Sequence, residues 1–275
     1  MQLKFEHKGI SYQTEALPID ISIPLHFNGP QPNTYGVPAA ESAPYRDGQF
    51  VGDVNQGGSC NFETYNFTPH CNGTHTECVG HIAVQEVYVH EILKESFALA
   101  TLMSIEPVEA PKTSDSYQPQ LNDADCVIDR ASLEAAWAQI ENPFSQALVI
   151  RTLPNSADKQ ARDYMKKEPA FFTNEAMQWI HEQGFTHLLV DMPSVDRLFD
   201  EGKLSNHHIF WQVPAGELQV DLSHPLTASR TITEMIFVPD AIEDGSYLLE
   251  MQVAAFMSDA APSRPRLYIP RITKS

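Results

Sequence analysis

Between residues 70 and 81 the chain reads His70-Cys71-Asn72-Gly73-Thr74-His75-Thr76-Glu77-Cys78-Val79-Gly80-His81, a run that crowds three imidazoles, two thiols and a carboxylate together. Those are the groups with which proteins hold zinc and its first-row neighbours. The interleaved Gly73 and Gly80 point to a tightly folded backbone that draws separated donors to one place. Local geometry leaves two arrangements open. As a strand, the segment puts Cys71, His75 and Glu77 on one face, but at ~3.3 Å per residue it spreads the outer two over about 20 Å, too far for one ion. As a turn at Gly73-Thr74 entering a helix, it makes Thr74 the N-cap and sets Glu77 and His81 four residues apart on one face.

Each residue also has a plainer reading. Thr74 and Glu77 fit a capping box, in which the carboxylate only reaches back to a backbone N–H. Cys71 and Cys78 are of the type that fills small core gaps, and a single His is more often a surface or satisfied core residue than a ligand. Co-occurrence is the argument for a metal, since the spacing matches no paired Cys-x-x-Cys knuckle.

The stretch resembles the signature His-x-Gly-Thr-His-x-Asp-x-x-x-His of the cyclase family, which includes bacterial kynurenine formamidases and isatin hydrolases. Gly73-Thr74-His75 and His81 keep the pattern, while Cys71 stands at the first His and Glu77 at the Asp. Ile19-Asp20-Ile21-Ser22-Ile23-Pro24-Leu25 is similar to the family's opening strand, and Ala147 to Thr152 to its central Leu-x-x-Arg-Thr strand. Leu188 to Asp196 resembles its Gly-x-Asp-x-x-Ser-x-Asp segment, and Ile232-Thr233-Glu234-Met235 its Ile-x-Glu strand.

By that resemblance the fold is an α/β, swivelling β/α/β domain with a mixed sheet flanked by helices. The resemblance also implies that Cys71, His75 and Glu77 hold a first divalent metal, zinc or manganese, and that Glu77, His207 and Glu234 hold a second, so that a chain carries one or two ions. His81 is implied as the general base. His207 is preferred over His208 because an apolar pair, Ile209-Phe210, follows it after one residue. The implied activity is metal-assisted hydrolysis of a non-peptide amide or cyclic amide, of the arylformamide or lactam type. The alternative is a non-catalytic relative with a structural metal or ligand site. A third, weaker reading is a thiol hydrolase using Cys71 or Cys78 with His81, which would respond to alkylation and ignore chelators.

Eighteen basic residues against thirty-six acidic ones give a formal charge of −18. That charge repels phosphate backbones and anionic lipid, so neither nucleic acid nor a membrane is an expected partner. A small-molecule substrate and a homodimer or higher homo-oligomer are. No apolar run approaches a membrane span of ~20 residues, the N-terminus lacks a signal-peptide core, and a cytoplasmic location with reduced cysteines is expected.

These groups have to be positioned by a single domain covering residues 1–275. Residues 26–60, rich in Pro, Gly and Asn, read as a long loop walling a pocket, and residues 213–229 as an insertion. Phe62 and Tyr65, just before the motif, are candidate pocket residues. A helix N-capped at Ser132 with Leu133, Trp137 and Ile140 on one face, and a second capped at Thr173 and closed by Gly184, each precede a short apolar run. Asp191, Ser194 and Asp196 read as a turn or structural network, because no nucleophile elbow surrounds Ser194.

Overall fold

The computed structural model describes residues 2–273. Its centre is a nine-stranded mixed sheet built from β1 (Ile19–Asp20), β2 (His75–Cys78), β3 (Phe97–Ile105), β4 (Ala147–Thr152), β5 (His187–Val190), β6 (Thr231–Glu234), β7 (Gly245–Glu250), β8 (Ala260–Pro262) and β9 (Arg266–Tyr268). The spatial order is β8-β2-β6-β5-β4-β3-β7-β9-β1. Strands β3, β4, β5 and β6 run parallel, and the outer strands join antiparallel. Every residue of β4 is buried, as expected for a central parallel strand covered on both faces.

Period-2 alternation divides that strand between two cores. Helices α1 (Pro69–Asn72) and α2 (Val89–Ile92) are single turns. Leu148 and Ile150 face the helices α3 (Arg130–Trp137), α4 (Asn174–Glu182) and α5 (Ser205–Trp211) through Leu133, Met177, Ile180, Phe210 and Trp211. Ala147 and Val149 meet Ala100, Leu102, Leu189 and Leu249 on the other face. The expected mixed sheet flanked by helices is the architecture found.

Local details differ from the sequence reading. Helix α3 starts earlier than expected, because the Asp129 side chain, not Ser132, caps it by accepting from Ser132 N. Thr173 does cap α4, and Gly184 follows it at φ 79°, the left-handed turn that favours glycine. Residues 26–60 are not featureless: Glu41–Pro44 pairs with Glu63–Asn66, and Arg46–Asp47 with Phe50–Val51. No helix among the described residues is long and apolar enough to cross a membrane.

Candidate metal centre

Residues 70–81 adopt neither of the simple arrangements. Pro69–Asn72 form one helical turn, His75–Cys78 form β2, and Val79–Ile82 close with a 3₁₀ turn. Thr74 is not an N-cap. Its hydroxyl donates to the Met235 carbonyl at 2.5 Å and accepts from Ile23 N at 2.8 Å, which pins the start of β2 between two other segments. The capping-box role for Glu77 disappears with the helix. Because the chain turns at Gly73 and again after Cys78, His70, Glu77 and His81 converge where a continuous strand would have spread them.

Strand register supplies the rest. In the antiparallel pairing of β2 with β6, His75 lies opposite Glu234, so their side chains share one face as cross-strand neighbours. His75 Nε2 is 3.4 Å from Glu234 Oε2. On the other edge of β2, Cys78 N donates to the carbonyl of Asp259, which leads into β8. Gly80 permits that approach, since a Cβ there would lie 2.4 Å from the Val87 carbonyl oxygen and 3.1 Å from Asp259 Cβ.

Two donor groups result, and Glu77 belongs to both. His75, Glu77 and Glu234, all buried, present ligand atoms within 4.8 Å of one another, as do His70, Glu77 and His81. His70 Nδ1 is 3.1 Å and His81 Nδ1 3.8 Å from Glu77 Oε2. Asp259 Oδ2 lies 2.9 Å from His70 Nε2 and 3.3 Å from His81 Nδ1. On the remaining oxygen of Glu77, Oε1, sits His207 Nε2 at 3.0 Å, and His207 Nδ1 is held at 2.6 Å by Asp196. Of the adjacent pair, His207 is the one that reaches Glu77; His208 Nδ1 turns to the Val213 carbonyl.

Charges within the cluster follow from these contacts. Burial would raise Glu77, but the charge of His81, the bond from His207 and the adjacent His70 ring hold it well below the usual carboxylate range. Burial opposes a charged ring at His207, yet Asp196 and Glu77 outweigh it and keep the ring protonated well above the ordinary imidazole range. The same contest at His70, decided by Asp259 and Glu77, leaves its pKa at about 10.

The donor set fits a divalent cation. His75 Nε2 and Glu77 Oε2 are buried without any hydrogen-bond partner; a cation between such atoms would satisfy both, where leaving them bare costs about 1–3 kcal/mol apiece. Ligands about 2.1 Å from a tetrahedral ion stand roughly 3.4 Å apart, close to the His75–Glu234 and His70–Glu77 separations of 3.4 and 3.1 Å.

The expected residues are therefore placed unevenly. His75, Glu77, Glu234 and His81 fall in the two groups, and His207 adjoins them. Cys71 is buried beside Glu234 but belongs to neither group, and burial with that negative neighbour pushes its thiol up to about 11. Phe62 and Tyr65 are 53% and 55% exposed and pack against Tyr45 and Phe27. Neither lines the cavity of about 530 Å³ that opens beside His81, Leu204, Ser205, His208 and Leu218. From the 26–60 segment it is Tyr35 that approaches the centre, its phenol raised by burial and by the charges of Glu234, Asp200 and Asp196.

Sequence reasoning passed over His70, Asp259 and the role of Asp196. His70 stood in plain view within the motif. Asp259 carried no local signal, and only the β2–β8 pairing brings it near.

The Cyclase family model matches residues 19–197. The chain belongs to the Cyclase family. No curated protein matches the sequence. Among solved structures, an isatin hydrolase bound to the product analogue thioisatinate is similar, with 12% identity, a TM-score of 0.63 and 92% of each chain covered. A predicted metal-dependent hydrolase from Bacillus stearothermophilus shares 16% identity at a TM-score of 0.56, with 92% of this chain and 98% of that one covered. Isatin hydrolase A from Ralstonia solanacearum shares 14% at 0.55, with 92% of each covered. These likenesses show that this member of the Cyclase family has the fold of those enzymes over nearly all its length.

Proposed function

We propose that this Cyclase-family chain is a metal-dependent hydrolase that opens a small non-peptide amide or cyclic amide. The observation that carries the reading is the pair of buried, unpartnered donors, His75 Nε2 and Glu77 Oε2, with Glu234 beside them. His75, Glu77 and Glu234 would hold a divalent cation, with His207 beside Glu77 for a second. Imidazole and carboxylate donors without a thiolate suit zinc or manganese. When bound, such a cation supplies Lewis acidity that brings water toward a pKa of about 7 and polarises a carbonyl.

The remaining chemistry belongs to the side chains. His81 faces both the cluster and the cavity, which places it to take a proton from the attacking water and hand it to the leaving nitrogen. Asp259 at 3.3 Å holds Nδ1 of that ring as a hydrogen-bond acceptor, which leaves Nε2 free to carry the proton. Asp196 fixes His207 in the same manner. The cavity volume of about 530 Å³ suits a ligand the size of one or two fused rings, within the roughly 300–1,000 Å³ of small-molecule sites. The isatin hydrolase likeness supports a lactam as the first substrate to try, and the family resemblance an arylformamide as the second.

The test is hydrolysis of isatin and of N-formylkynurenine by protein loaded with zinc or manganese, before and after chelation. Turnover that chelator abolishes and added metal restores is the expected result. A cation-loaded protein that hydrolyses neither a lactam nor a formamide would move the reading to a binding protein.

A further inference from the structure

We infer that His70, and not Cys71, is the imidazole-side ligand of the metal centre, and that Asp259 is the positioning residue that aims it. The inference rests on the metal-dependent reading above and deepens it.

Three relationships carry the assignment. First, position 71 does not deliver a donor, since Cys71 lies outside both groups of converging ligand atoms although it is buried nearby. The preceding residue does: on the single helical turn Pro69–Asn72, His70 directs Nδ1 to within 3.1 Å of Glu77 Oε2. Second, that oxygen is buried, its side chain 1% exposed, and unpartnered, so the 3.1 Å approach lacks the alignment of a hydrogen bond. Two ligands of one ion have that relationship: close, but each pointing at a third body rather than at the other. Third, His70 Nε2 is engaged at 2.9 Å by Asp259. A ligating imidazole ordinarily gives its second nitrogen to a carboxylate, which fixes the tautomer and the ring plane. The His70 and His75 rings stand edge to face with centroids 5.1 Å apart, so both flank Glu77 without obstructing one another.

The alternative, a structural His70 that merely neutralises Asp259 and Glu77, makes different predictions. The experiment is titration of metal-free protein with zinc by calorimetry, and with cobalt by absorption, for the wild type, His70→Gln, Cys71→Ser, Asp259→Asn and His81→Gln. A folded His70→Gln variant is verified by circular dichroism.

The expected result is that His70→Gln loses one equivalent of cation or binds at least about 100-fold more weakly. Asp259→Asn should weaken binding by about 10–100-fold, as removal of such outer partners does. Cys71→Ser and His81→Gln should keep the wild-type stoichiometry, and the cobalt spectrum should lack a thiolate charge-transfer band. Unchanged binding in His70→Gln, or a thiolate band lost in Cys71→Ser, overturns the assignment while leaving the metal-dependent reading in place. Wild-type protein that takes up no cation overturns both. If His70→Gln does not fold, the thiolate band and the Asp259→Asn affinity decide alone.

Discussion

His75 and Glu234 stand opposite one another across the seam between β2 and β6, with Nε2 and Oε2 3.4 Å apart and the imidazole nitrogen buried without a hydrogen bond. The two residues are separated by most of the chain, yet one β-ladder register fixes their distance. A one-residue slip would turn one of them to the opposite face.

Glu234 Oε1 accepts from Val195 N and Oε2 faces the bare His75 Nε2, so Glu234→Gln should lower zinc affinity by at least about 100-fold, more than loss of an outer partner does, while thermal stability in chelator stays within about 1 kcal/mol of wild type. Calorimetric titration beside a melting curve checks both. Equal zinc affinity in the variant would remove Glu234 from the centre.

Glu77 carries a different load, since His207 and His70 both depend on its charge. Glu77→Gln leaves the buried, protonated His207 ring and the half-buried His70 ring against a neutral amide, and breaking a buried pair in that way costs about 3–5 kcal/mol. Urea denaturation in the presence of chelator should show that loss, and a change below about 1 kcal/mol would mean that the rings are neutral.

Asp196 accepts from Tyr117 Oη, Asn206 N and both nitrogen donors of His207, its backbone N–H and Nδ1–H. Asp196→Asn should therefore lower cation affinity about 10–100-fold through the ring it orients. An unaltered affinity alongside an unaltered fold would show that His207 does not serve the centre.

Gly80→Ala places a methyl group 2.4 Å from the Val87 carbonyl and against Asp259. The backbone must move, at a cost of about 1–3 kcal/mol, and Asp259 moves with it. Thermal melting should fall by roughly 2 °C per kcal/mol, the low end of the range for chains of about 150–250 residues since this one is longer, with a parallel loss of zinc affinity. Gly73→Ala is the control, because a Cβ there meets only Leu25, at 3.9 Å.

Away from the centre, His187 gives a pH signature. Burial lowers its pKa to about 4, and its Nδ1 bonds Thr231 Oγ1. The unfolded chain, with an imidazole near pH 6.5, takes up the proton first, so stability is undiminished above about 6.5 and falls as pH drops toward 4. The shift corresponds to about 2–3 kcal/mol at most, since the ring is partly exposed. Denaturation of wild type and His187→Gln between pH 4 and 7 should converge at the acid end; curves that stay parallel would show that His187 does not titrate in this range.

The strands and most of the centre were legible in the sequence because their signals are local or familiar. Apolar runs mark β4 and β5, Thr173 and Gly184 bracket α4, and the motif names His75, Glu77 and His81. What escaped is what register decides. A helix from Thr74 was a fair local reading, but the hydroxyl that would have capped it is engaged by Ile23 and Met235, and β6 and β8 flank the segment on either side. The exchange of Cys71 for His70 is likewise a matter of one residue on a single helical turn, too small a displacement for spacing to reveal. Asp259 is found only through its backbone bond to Cys78.

The position of Asp259 at the entrance to β8 ties the proposed centre to the order in which the sheet assembles. Its groups come from residues 70–81, from α5, from the end of β6 and from the approach to the edge strand β8. A ribosome-bound chain that has not yet released residue 259 holds the motif but lacks the carboxylate that orients it. On the proposed reading, full-strength cation binding would wait until residue 259 has paired beside β2, and the ion would seal an assembled sheet rather than nucleate it.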